Sequence, residues 1–417
     1  MADRETYPIL SVEEARERIL GHVKLLEAEM VPILGALGRI LAEDIVSDMD
    51  IPPLPNSAMD GYAVRFADLA PSPAGEPPRL RIVGEVPAGK VRMEPLGPGE
   101  AVRIMTGAPL PPGADTIVRF EDAAVEGERL TVKRRIALGR DVRAAGEDVR
   151  AGQVVLHQGD LLRPQEIGML AALGRTQVAV VRQPRVAVLS TGNEVAPLGA
   201  PLKPGQIRDS NSYSLAAAVL EAGGIPTVLD VAPDVESTLI ARLRQALTLP
   251  ADLILTSGGV SAGDFDFTKE VLAAQGRLDF WWVNMRPGRP MAFGLLGEVP
   301  LLALPGNPVS AMIAFLLFGR PAIRKMLGYR TWEYATVQAR LREAITRKDG
   351  RRHYLRVHLT ASEDEWEAAL TGDQGSGILS SMVQADGLAV IPEDCDHLAE
   401  GSLVNVLLFP PPPVLGG

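Results

Sequence analysis

The stretch DLILTSGGVSAGDFDFTKEVL, residues 252–272, opens as an apolar β-branched strand, breaks at paired glycines, and then scatters carboxylates and a lysine ahead of a helical pattern. An apolar run without alternation fits a strand buried on both faces, and such strands belong to parallel sheets covered by helices. The neighbouring sequence repeats the theme. RVAVLS (185–190), IPTVLDV (225–231), ADLILTS (251–257) and PLLALPG (300–306) alternate with helical patterns at 213–221, 236–247, 268–275 and 309–318. That βαβ rhythm predicts a central parallel-sheet α/β domain over residues 183–328.

Outside this core the pattern changes. Ser11 and Glu14 form a capping box at the head of a helix expected over 11–29, a second helix is expected over 35–43, and a third begins at Pro164 and stops at Gly174. Residues 1–52 and 140–182 are therefore expected to form an N-terminal helical and linker domain. Between them RLRIVGEV, EAVRIMTGA, TIVRFED and RLTVKRR are short strands parted by Gly and Pro, which predicts a small β domain over 53–139. ATVQARL, HYLRVHL, GLAVIPED and SLVNVLLF predict a C-terminal β domain over 329–417.

Composition narrows the function. The chain has 417 residues, 46% hydrophobic and 23% charged, enough for several packed cores. Its formal net charge of -10 argues against a nucleic-acid partner. Cys395 is the single cysteine, which excludes an internal disulfide framework or thiolate metal cluster and suits a reducing compartment. His22, His157, His353, His358 and His397 form no helical pair, so histidine-bound zinc is set aside. The first twenty residues lack an apolar signal core, and AMIAFLLFG (311–319) falls short of the ~20 residues that span a bilayer. A soluble cytoplasmic protein without a membrane partner is expected.

Ligands of open α/β sheets bind beyond the carboxyl ends of the strands, and the unusual residues of this chain gather there. After the 253–257 run, Gly258, Gly259 and Gly263 permit close backbone approach, while Ser257 and Ser261 offer hydroxyls to an anion. Asp264 and Asp266 supply hard oxygen ligands for magnesium, and Lys269 offsets phosphate charge. In LPGNPVSA (304–311), Pro308 begins a helix with Asn307 as its candidate cap, leaving amides suited to an oxyanion. Arg286 and Arg289 flank a Pro-Gly turn and can clamp a tetrahedral anion. Glu194 and Asp209 are loop acids at the same sheet edge, and Asp60 before Gly61 reads as a turn when taken alone.

Eight motifs in order, NSAMDGYAVR, IMTGAPLPPGAD, GED (146–148), LSTGNE, IRDSNS, SGGVSAGDFDFTK, RPGRPMAFG and LPGNPVSA, closely resemble the molybdopterin molybdenumtransferases, the MoeA proteins and the gephyrin E domain. The resemblance implies molybdate insertion into adenylyl-molybdopterin, with magnesium assistance and release of AMP. It also implies an elongated, four-part homodimer with its site in a cleft between subunits, and transient contact with other cofactor-synthesis enzymes. By motif it assigns activity or ligand binding to Asp60, Thr106, Asp148, Glu194, Asp234, Asp266, Arg286, Arg289, Pro305, Pro308, Ser310, Arg356 and Ser376. Many relatives carry lysines where Arg286 and Arg289 stand.

With that chemistry, Glu194 and Asp266 are assigned to magnesium or water and Lys269 to phosphate, while Asp60 or Asp234 can accept the guanidine-like edge of the pterin in bidentate fashion. Molybdate, a dianion that must shed water, is expected near Pro308, Ser310, Arg286 and Arg289. Two alternatives stand beside this: a molybdopterin adenylyltransferase, which the α/β unit resembles, and an interaction scaffold of the gephyrin type.

Overall fold

The computed structural model describes residues 9–71, 76–259, 277–362 and 365–409. They fall into two compact bodies, one of Pro32–Leu37 and Leu41–Val178, the other of Met1–Val31, Gly38–Ile40 and Ala179–Gly417. No helix among the described residues is long and apolar enough to cross a membrane.

The smaller body is built on a six-stranded sheet in the order Thr116–Arg119, Gly61–Val64, Glu100–Ile104, Arg79–Val86, Arg129–Val132 and Ala123–Glu126. Its two faces bury separate sets, Tyr62, Val64, Leu80, Val118 and Leu130 on one and Ala63, Val102, Ile104 and Ile117 on the other. The alternation follows from the period-2 side-chain geometry of strands. The expected helix at Pro164 forms as Pro164–Ala172. The one expected over 35–43 does not: only a short 3₁₀ turn, Ile33–Ala36, appears. Two glycines in four residues, Gly35 and Gly38, explain it, the second at φ 75°.

In the larger body the Ser11–Glu14 capping box is present, with the Glu14 amide donating to Ser11 Oγ at 3.2 Å and the Ser11 amide to Glu14 Oε2 at 2.8 Å. The helix it starts is Val12–Gly21, shorter than the 11–29 span expected, and Ala28–Pro32 is a strand. Gly21 weakens the last turn, and beyond it the Leu26 amide donates outward to Met326 O at 3.0 Å rather than continuing the helix.

The main sheet has seven strands, ordered Ile9–Leu10, Arg277–Val283, Pro290–Leu296, Val299–Leu304, Leu253–Ser257, Arg185–Ser190 and Ile225–Val228. It is mixed where the sequence predicted parallel. Pro290–Leu296 runs antiparallel to both neighbours, and the other pairings are parallel. The short turn at Gly297, φ 62°, joins Pro290–Leu296 to Val299–Leu304 as a hairpin, and a two-residue link cannot make a parallel crossover.

Both faces of this sheet are covered. Val186, Val188, Leu253, Leu255, Leu302 and Leu304 pack with Leu215, Val219, Val309 and Phe315 on one side. Ala187, Leu189, Ile254, Leu301 and Ala303 pack with Leu239, Leu243 and Ala246 on the other. Helices Asn211–Ala222 and Glu236–Thr248 supply much of that cover. The predicted 309–318 helix forms as Pro308–Ala314, followed by a π turn, Phe315–Gly319, and a second helix, Arg320–Met326. The predicted helix at 268–275 lies outside the described residues.

The C-terminal strands close on themselves. Arg352–Ser362, Glu365–Leu370, Thr336–Leu341, Leu403–Leu408 and Gly387–Ile391 pair in that order, and the last pairs again with the first. The resulting five-stranded barrel has no free edge around its ring and encloses Leu341, Leu355, Val357, Ala389 and Val406. Met285–Arg286 adds itself in parallel to Arg352–Ser362, which carries the Arg286 turn to the barrel wall.

Candidate functional site

Three strand ends of the main sheet meet at a cavity of about 690 Å³. The Thr191 amide donates to Ser257 O at 2.8 Å and the Gly258 amide to Leu304 O at 3.1 Å, so the loops after all three strands are stitched side by side. Gly258 has φ 91°, and a Cβ there would sit 2.5 Å from Thr191 O. Only glycine fits that junction.

Asn211, in the turn that opens its helix, holds two of these loops: Nδ2 donates to Ser257 Oγ and to Gly306 O, both at 2.7 Å. Ser257 Oγ in turn donates to Pro305 O at 3.1 Å. Asn211→Ala strips two buried hydrogen bonds and leaves Gly306 O unpaired, so a loss of about 2 kcal/mol in stability is expected, read from denaturant unfolding. Asp209 is also internal. It is 5% exposed, and its Oδ1 accepts from Ser190 Oγ at 2.9 Å and the Ser212 amide at 3.0 Å. That carboxylate fastens the helix start and also lines the cavity.

Glu194 and Asp234 line the same cavity. Their loops are tied by reciprocal bonds, the Asn193 amide to Asp234 Oδ2 at 3.3 Å and the Asp234 amide to Asn193 Oδ1 at 3.1 Å. Ser257, Gly258, Gly259, Pro305 and Pro308 complete the predicted members found here. Ser261, Asp266 and Lys269, with Gly263 and Asp264, lie outside the described residues. Among the described residues no group of three or more His, Cys, Asp or Glu side chains could hold a metal ion.

A second cavity, about 1040 Å³, shares Pro290, Pro305 and Asn307 with the first and brings together Arg286, Arg289, Ser310, Arg356 and Ser376. The Arg286 turn is a tight Pro-Gly corner; at Gly288, φ 103°, a Cβ would lie 2.8 Å from Met285 Cε. Arg289 stands 5.6 Å from the Trp282 ring, and its buried Nε has no partner among the described residues. The helix start contributes less than expected. Asn307 occupies the N-cap position without a side-chain capping bond, and the N2 amide, Val309, instead donates to Ser376 O at 3.1 Å.

Arg356 is the unusual group. It is 0% exposed, projects from Arg352–Ser362, and among the described residues has no carboxylate hydrogen-bonded to it. Nε donates to Ser381 Oγ at 3.0 Å and Nη2 to Gly375 O at 3.0 Å and Asp373 O at 3.4 Å, while Nη1 has no partner among the described residues. Burial pushes the guanidinium below its ordinary value and the nearby Asp373 pulls the other way. A buried cation served only by neutral oxygens is costly unless an anion joins it.

The remaining predicted members are in the smaller body. The Thr106 amide and hydroxyl both donate to Asp60 Oδ1, at 2.7 and 2.8 Å, and those two bonds hold the Asp60 carboxyl below its usual range. Asp60 is exposed, and among the described residues no hydrogen bond is made to Oδ2. Asp148 sits on a separate turn, its amide donating to Ile51 O at 3.0 Å.

The MoeA N-terminal region (domain I and II) matches residues 10–174, a probable molybdopterin binding domain matches 187–325, and the MoeA C-terminal region (domain IV) matches 338–409. Molybdopterin molybdenumtransferase 2 of Mycobacterium tuberculosis (strain ATCC 25618 / H37Rv) is 36% identical over 406 residues, covering 95% of this chain and 98% of that one. A molybdopterin molybdenumtransferase of Nostoc sp. is 37% identical over 414 residues, covering 97% and 94%. The crystal structure of a molybdopterin biosynthesis MoeA protein from Pyrococcus horikoshii superposes with a TM-score of 0.84 at 35% identity, covering 96% of this chain and 99% of that one. The chain is a multidomain protein of α/β and β units with two cavities at the strand ends of its main sheet and beside its barrel. It belongs to the molybdopterin molybdenumtransferase family, as its eight motifs suggested.

Proposed function

We propose that the chain catalyses the transfer for which its family is named, insertion of molybdenum into molybdopterin, with adenylyl-molybdopterin and molybdate as substrates and AMP as the leaving product. The observation that carries this is Arg356, a fully buried guanidinium whose Nη1 has no partner among the described residues, beside a cavity that also holds Arg289, Arg286 and Ser310. Molybdate, a tetrahedral dianion, would complete that charge balance and regain in guanidinium and hydroxyl donors the hydration it loses. The adjoining cavity would take the pterin and its phosphates: Asp234 accepts the pterin N–H edge, and the Gly258–Gly259 backbone allows close approach of phosphate; Asp60, in the smaller body, is the other candidate for the pterin edge.

Glu194 lines this cavity, and a carboxylate is a hard oxygen donor, which suits magnesium. Glu194, together with Asp266, would hold the ion, and when bound it would supply charge neutralisation at the phosphoanhydride. Lys269 serves the phosphate in this scheme, and Thr106, Asp148 and Ser376 support binding. A cytoplasmic homodimer in four parts, divided as 1–52 with 140–182, 53–139, 183–328 and 329–417, is the assembly that accompanies this reading.

The test is AMP release from purified adenylyl-molybdopterin with and without molybdate, and with and without magnesium. Release that requires molybdate is expected. Formation of adenylylated product from molybdopterin and ATP would point instead to the preceding adenylyl transfer, and molybdate-independent release would remove the proposal.

A further inference from the structure

Asp349 lines the Arg356 cavity, in a basic turn that belongs to none of the eight motifs. Its carboxylate is held from two sides, Oδ1 by His353 Nε2 at 2.7 Å and Oδ2 by Arg286 Nη1 at 2.9 Å. Burial alone would raise its carboxyl, but the bonds from His353 and Arg286 outweigh that and hold it well below the usual range. His353 is 2% exposed and lies opposite Arg286 in the register of the two paired strands. The turn is fastened again by Asn284, whose Nδ2 donates to Gly350 O at 3.0 Å and whose carbonyl accepts from the Arg352 amide at 3.2 Å.

Arg286 itself is 58% exposed along its side chain, and a free arginine there would sample many rotamers. Asp349 uses only Nη1, and among the described residues the other guanidinium donors stay available to a ligand. A planar fork can divide its donors in this way.

We propose that Asp349, braced by buried His353, is a positioning residue that presents Arg286 to the oxyanion. This rests on the reading of the cavity as the molybdate pocket. It also gives the arginine at 286 a purpose: one arm is spent on the brace and the other on the dianion.

The test is equilibrium titration of molybdate into full-length wild type, Asp349→Asn, Arg286→Ala, the double variant and Arg356→Ala, with the molybdate dependence of AMP release measured alongside. Asp349→Asn is expected to weaken binding about tenfold, at the low end for loss of a group that orients a ligand. Because the effect passes through Arg286, the double variant should bind within about twofold of Arg286→Ala alone. KM for molybdate should rise while kcat at saturation stays near wild type. Asp349→Ser is read in the same way should Asp349→Asn fail to fold. Unchanged or tighter binding by Asp349→Asn, or additive losses in the double variant, overturns the proposal while loss of binding in Arg356→Ala leaves the pocket assignment standing. Unchanged binding by Arg356→Ala removes the pocket assignment and this inference with it.

Discussion

Arg356→Ala is expected to weaken molybdate binding by about 100-fold and to remove molybdate-dependent AMP release at substrate levels that saturate the wild type. The magnitude is that of deleting one preorganised charged donor from an oxyanion site. The structural basis is that the guanidinium already spends Nε and Nη2 on Ser381, Gly375 and Asp373, which fixes its orientation before any ligand arrives. Nη1 is itself buried, so a small local opening of the cavity wall is all that its use by a ligand requires. Arg356→Lys keeps a cation but cannot reproduce three directed bonds plus a free donor, so it should recover only part of the loss. Calorimetric titration of molybdate, accompanied by a circular dichroism melt to confirm folding, reads the effect. Affinity within twofold of wild type would show that the buried charge serves the barrel alone.

The second large effect is expected at Gly258. An alanine there must hold φ 91° and bring its Cβ to 2.5 Å from Thr191 O and 2.8 Å from Thr191 Oγ1. Left-handed backbone costs a non-glycine residue about 1–2 kcal/mol, and forced displacement of packed backbone adds about 1–3. A stability loss of about 3 kcal/mol is expected from urea unfolding, with weaker binding of adenylyl-molybdopterin because the Thr191 loop carries Glu194. Gly377 borders the same cavity with open space around the missing Cβ, so Gly377→Ala is the matched control and should change stability little. Equal effects at the two positions would contradict the close-packed junction.

The main sheet was legible because its buried strands are unbroken apolar runs and its helices keep their period, so RVAVLS, ADLILTS and PLLALPG all stand where expected. Pro290–Leu296 was not, since a β strand that begins with proline and contains Gly294 carries breaker residues, and it proved to be the antiparallel member. Glu365–Leu370 was missed for a related reason: Glu, Ala and Leu favour helices, and the barrel overrides that preference by tertiary pairing. The site showed the same division. Glycines, prolines and charged clusters announced Gly258, Arg286 and Pro308, whereas Asn211 lay inside a motif without any sign that its amide clips two loops together. Nor did the sequence reveal that Arg356 would be fully buried, because alternation in HYLRVHL places it on one face without saying what lies there. Asp349 reads as one acid in a basic turn, and its partnership with His353 depends on a register that only the folded strands create.

The most direct measurement is anomalous diffraction at the molybdenum absorption edge from crystals of the full-length protein soaked in molybdate. A peak is expected within hydrogen-bonding reach of Arg356 and Arg289 in the cavity that holds Ser310. A peak at any other place, with that cavity lacking one at saturating molybdate, would contradict that placement.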